Sequence, residues 1–75
     1  MKLSEAKLNQ SYTITKITAK APLSYRLLSM GFSLGSPITL LAMTIAKGTF
    51  DVRVESTIVA LRKEEAEAIL IEQCA

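Results

Sequence analysis

The side chains of this chain that could ligate iron or zinc are seven carboxylates and one thiol, with no histidine. Histidine is both the commonest general base near neutral pH and the commonest metal ligand. A Ser-His or Cys-His pair therefore cannot be assembled, and nucleophilic catalysis would need an unusual base. Gly31, Gly35 and Gly48 match neither the phosphate-loop spacing nor the dinucleotide fingerprint. The acids gather at two places: Glu64, Glu65 and Glu67 form a local cluster, and Asp51 and Glu55 share one strand face. Iron and zinc sites converge on softer or more numerous donors, so both groups are expected to be solvated surface and a helix start. Metal binding through surface carboxylates at Glu64, Glu65 and Glu67 is the alternative they leave open. Met30 and Met43 are expected to fill core. Cys74 is expected to be an exposed, unpaired thiol, with Glu72 nearby disfavouring the thiolate. No catalytic, cofactor-binding or metal-binding residue is singled out, and the expectation is a protein that is not an enzyme.

The elements that must position these residues belong to a short chain. Its 75 residues predict a single domain over 1–75, near the lower limit for a self-supporting core. Hydrophobic residues make up 49% and charged residues 21%, which excludes disorder. Tyr12, Tyr25, Phe32 and Phe50 are the aromatic residues, so the core must be mainly aliphatic. One cysteine cannot staple the fold, and no apolar leader follows Met1, which together point to a cytoplasmic protein. The apolar run at 38–43 is far below the ~20 residues that span a bilayer. A net charge of +2 with scattered basic residues is not the clustered footprint of a nucleic-acid binder.

Residues 1–10 read as a short leader anchored by Leu3 and Leu8, with Asn9 in a turn that favours the left-handed conformation. Residues 12–18 are rich in β-branched side chains and predict a first strand. Tyr12 and Ile14 share one face while Ile17 falls on the other, which calls for a bulge or strong curvature. Pro22 marks a boundary, and 23–30 predict a helix of about two turns. Gly31 suits the left-handed residue just past it, so that Phe32 packs back on Leu27. Residues 34–37 turn, and 38–45 form a central strand that is apolar on both faces. After a turn at 46–49, residues 50–55 alternate strictly, with Phe50, Val52 and Val54 inward. A tight turn at Ser56-Thr57 leads to a strand at 58–61. Helix formers follow at 62–68, with acids in the first turn, and a last strand at 69–72. Five short strands with so little helix are best satisfied by a small closed or nearly closed barrel, which also hides its edges.

Two segments resemble a known family. Arg26-Leu27-Leu28-Ser29-Met30-Gly31-Phe32, followed by Leu34-Gly35-Ser36-Pro37-Ile38, resembles the first hallmark of the FeoA family, small accessory proteins of bacterial ferrous iron transport. Ile58-Val59-Ala60-Leu61-Arg62-Lys63-Glu64-Glu65-Ala66 resembles the second, at the matching separation. The chain departs from the pattern where the family often has Gly, at Asn9 and Ser56, and where it has a Gly-Asp-Pro turn, at Gly48-Thr49-Phe50. The resemblance implies a mostly β fold: a five-stranded SH3-like barrel with one short helix after the first strand and one helical turn before the last. It also implies a cytosolic partner, the membrane transporter FeoB with its GTP-binding domain; the alternative function is direct ferrous iron binding, as a chaperone or sensor, through the surface carboxylates Glu64, Glu65 and Glu67. The expected docking surface is the helix and its exit: Tyr25, Arg26, Leu28, Met30 and Phe32. A competing expectation is that Leu27, Leu28 and Phe32 simply plug the barrel.

Overall fold

The computed structural model describes residues 1–44, 46 and 48–73. Ile45, Lys47 and Cys74 lie outside them, and with them the end of the expected central strand and the expected free thiol. The chain runs through a short 3-10 helix (Leu3–Glu5), β1 (Ser11–Ile17), α1 (Leu23–Ser29), β2 (Pro37–Thr44), β3 (Thr49–Val54), β4 (Thr57–Arg62), α2 (Lys63–Glu67) and β5 (Ile69–Gln73). All strands join one antiparallel sheet in the order β4-β3-β2-β1-β5. The mostly β, SH3-like architecture expected from the sequence is present. Of the closed or nearly closed barrel expected, the sheet is not fully closed: among the described residues β4 and β5 remain its two edges.

The strand pattern follows from alternation and its interruptions. Tyr12 and Ile14 are buried from β1, Ile38 and Leu40 from β2, Phe50, Val52 and Val54 from β3, and Ile69 and Ile71 from β5. The off-phase Ile17 is reconciled by a bulge: Ile14 pairs with Ile71 but Lys16 with Leu70, so two steps on β1 match one on β5. Ile17 thereby turns back to pack against the core. A second bulge between Leu40 and Ala42 ends the inward run of β2, and Met43 is 43% exposed beyond it. The doubly covered strand expected here is thus covered only in its first half.

The leader is more ordered than an anchor. Leu3 is fully buried, whereas Leu8 is half exposed and only bridges Leu40. The hydroxyl of Tyr12, which is buried from β1, accepts the Lys7 N–H at 3.0 Å and donates to Gln10 Oε1 at 3.2 Å. Asn9 takes φ 62°, the left-handed turn its side chain tolerates. The leader then lies along β5: the Ile71 N–H donates to the Met1 carbonyl at 2.7 Å, and Lys2 bridges Leu70.

Candidate functional site

Helix α1 is too short to be stable alone and is held by its exit. The Phe32 N–H donates to the Leu27 carbonyl at 3.0 Å, and the Gly31 N–H to the Leu28 carbonyl at 3.1 Å. These two bonds, with Gly31 at φ 100°, form a Schellman stop, and both its apolar partners, Leu27 and Phe32, are fully buried. The chain then rejoins the sheet, where the Gly35 N–H donates to Ile14 and the Ile14 N–H to Ser36.

Anchoring one stripe of α1 in this way exposes another. At about 100° per residue, Ser24 and Leu28 share a flank, Leu23 and Leu27 point to the core, and Arg26 falls on the far side. Ser24 and Leu28 line a groove of roughly 250 Å³ together with Lys16 and Ile17 from the end of β1 and Leu34 from the loop after α1. Leu28 is 52% exposed, Leu34 67% and Tyr25 70%. Three large apolar side chains are thus exposed on and beside one small helix while the core beneath is filled by others.

The five residues expected to dock divide accordingly. Leu28 lines the groove, and Tyr25 is exposed on the same helix without lining it. Arg26 is exposed but lies on the opposite flank, where Nη1 is 3.7 Å from Glu65 Oε2. Met30 is half-buried against the core, and Phe32 is wholly inside it. Phe32 is therefore corrected from surface to core, because as the residue after the glycine it must close the helix stop. Leu28 is equally corrected as a plug. Ile17 and Leu34 were missed: they come from different elements, and the only sequence signal was Ile17's broken alternation and an isolated leucine in a turn.

The carboxylate cluster does not converge. Glu65 is buried, its Oε1 accepts the Arg62 N–H at 2.8 Å, and its other oxygen faces Arg26. This is half of a capping box: the N-cap residue is Arg62, whose side chain cannot accept in return. Glu5 does the same for the Lys2 N–H at 3.0 Å. Glu64 is left exposed and Glu67 half-buried. Among the described residues no three His, Cys, Asp or Glu side chains are grouped to hold a metal ion. No helix among them is long and apolar enough to cross a membrane.

Comparison with known proteins agrees with this geometry. The model of the family described as FeoA domain matches residues 1–73. A Helicobacter pylori protein named "Putative Fe(2+) transport protein A" is 34% identical over 76 aligned positions, which take in 100% of this chain and 97% of that protein. The FeoA protein of Chlorobium tepidum superposes with a TM-score of 0.91 at 27% identity, covering 100% of this chain and 71% of that one. The zinc-complexed FeoA of Stenotrophomonas maltophilia, described as an SH3 domain protein, superposes with a TM-score of 0.84 at 28% identity, over 96% of this chain and 89% of that one.

Proposed function

We propose, from the premise that this chain belongs to the FeoA domain family, that it is a non-enzymatic accessory protein of bacterial ferrous iron uptake. It works in the cytoplasm by docking on the cytosolic GTP-binding portion of the FeoB transporter, which it supports or regulates. The observation that carries this reading is the exposed apolar groove beside α1, with Leu28 and Leu34 in it and Tyr25 exposed on the same helix. A domain this small has few places to spend exposed leucines, and peptide recognition by such folds relies on apolar grooves. The name of the Helicobacter pylori relative and the activating-factor role suggested for the Stenotrophomonas maltophilia protein support the same direction.

The reading is tested by binding to the purified cytosolic portion of the transporter. Tyr25→Ala and Leu28→Ala, which remove exposed side chains, are each expected to weaken binding by about tenfold with the fold intact, a loss of ~1–2 kcal/mol typical of a central contact. Unchanged binding by both variants rejects the groove. GTP hydrolysis by that portion, measured with and without the chain, tells whether docking changes the transporter's rate or only its assembly.

A further inference from the structure

The two edges of the sheet are treated differently. On β5 the leader supplies a neighbour, through the Ile71 N–H and the Lys2–Leu70 bridge. On β4 nothing among the described residues does so. The β3–β4 hairpin turns through two residues, Glu55 and Ser56, with Val54 paired to Thr57. That closing pair is hydrogen-bonded in a two-residue hairpin, so bonding alternates from it: Val59 and Leu61 bond to β3, while Ile58, Ala60 and Arg62 turn their N–H and C=O groups outward. The Arg62 N–H confirms the phase, since it points away from β3 to Glu65 Oε1. Ile58 and Ala60 have no backbone bond outside the hairpin among the described residues.

This edge also lacks the usual guards. From Thr57 to Leu61 it has no charge, no proline and no break in register. Ile58 is 67% exposed and Ala60 is exposed beside it on the outer face. Natural sheets seldom leave such an edge uncovered.

We propose that the β4 edge pairs with the β4 edge of a second copy of this chain, antiparallel about a two-fold axis at Val59. Self-pairing is favoured because the edge is complementary to itself in this one register. With Val59 opposite Val59, Ile58 of each copy exchanges both backbone bonds with Ala60 of the other, so every free group of Ile58 and Ala60 is used. A register centred on Ile58 would face Ala60 with the turn residue Ser56. One centred on Ala60 would face Ile58 with Arg62, whose N–H is already taken. On the outer face the chosen register sets each Ile58 against an alanine, large against small. Toward the strand ends, Arg62 falls opposite Ser56 and Lys63 opposite Glu55 of the second copy, so no like charges meet. The interface is isologous and closes at two copies.

The full chain should show a mass that rises from monomer toward dimer in sedimentation equilibrium between micromolar and millimolar concentration. Over the same range, hydrogen exchange at the Ile58 and Ala60 amides should slow while other exposed amides do not change. Ala60→Pro removes the outward N–H of each copy but no bond to β3, and an edge strand tolerates proline with that orientation. It should weaken the dimer roughly thirtyfold, the equivalent of two ordinary hydrogen bonds. Ile58→Lys, which guards the edge by charge, should do the same and carries the test if the proline variant fails to fold. A chain that stays monomeric at millimolar concentration overturns the proposal, as does a dimer that survives in a folded variant. If the wild type is monomeric and Ala60→Pro instead loses transporter binding, the edge belongs to the transporter and self-pairing is wrong. Groove variants are not expected to alter the dimer, so this outcome and that of the docking reading are separable.

Discussion

At Gly31 the backbone holds φ 100° at the mouth of α1, and a β-carbon added there would meet Val54 Cγ1 at 3.7 Å, an ordinary contact. The cost of Gly31→Ala is therefore conformational rather than steric. It should destabilise the fold by about 1–2 kcal/mol, measured by urea unfolding, with no change in the core. Glu65 makes a contrasting case. Glu65→Ala leaves the Arg62 N–H without its acceptor and should cost about 1–2 kcal/mol, whereas Glu65→Gln keeps an acceptor and should cost less. Arg26→Ala removes only a 3.7 Å pair from an arm that is 67% exposed, and should cost under ~1 kcal/mol. If Arg26→Ala proves as costly as Glu65→Ala, the pair and not the cap holds α2. In Glu55 a left-handed φ of 56° falls on a residue read from sequence as the outward end of a strand. The alternation ran through it correctly as far as Val54, but a strand pattern cannot tell its own last residue from the first residue of a two-residue turn.

At the scale of elements, α1 has two sides with opposite expectations. Leu27→Ala and Phe32→Ala empty buried sites and should cost about 2–5 kcal/mol, while Leu28→Ala should leave the unfolding midpoint nearly unchanged. Equal losses at Leu27 and Leu28 would mean that the exposed flank is packed after all. Much of this arrangement was legible beforehand. The strands, the β1 bulge, the left-handed Asn9 and the helix stop at Gly31 each rest on local rules, such as period-two alternation or the need for positive φ. What was not legible depends on contacts between distant segments. The 3-10 helix at Leu3–Glu5 is too short for any period, and its order comes from docking on α2 and β5. Glu65 read as solvated because nothing in its spacing reveals that Arg26 and the Arg62 N–H converge on it. The groove was only partly visible, since Leu28 lies on a helix read from the sequence whereas Ile17 and Leu34 reach it through the fold.

For the whole molecule, one core gathers side chains from the leader, all five strands and both helices. A core of this size leaves about 3–5 kcal/mol of net stability, so one severe truncation can exhaust it. Leu3, fully buried though it lies in the leader, is such a position. Leu3→Ala should cost about 2–5 kcal/mol and leave a substantial unfolded fraction, visible as lost near-ultraviolet dichroism or collapsed amide dispersion. Retention of a sharp, unchanged melting transition would show that the leader is dispensable. The sheet order has one more consequence, for the order of synthesis. β1 is the first strand made, yet it lies between β2 and β5, and the partner at Ile69–Gln73 is translated more than fifty residues after it. Until that segment has left the ribosome, β1 has an open side, Ile14 has no Ile71 to face, and the leader has no β5 to lie on. A nascent chain stalled before Ile69 should therefore be fully open to protease, and the cell must shield Ile14, Leu27 and Phe32 until the final strand arrives.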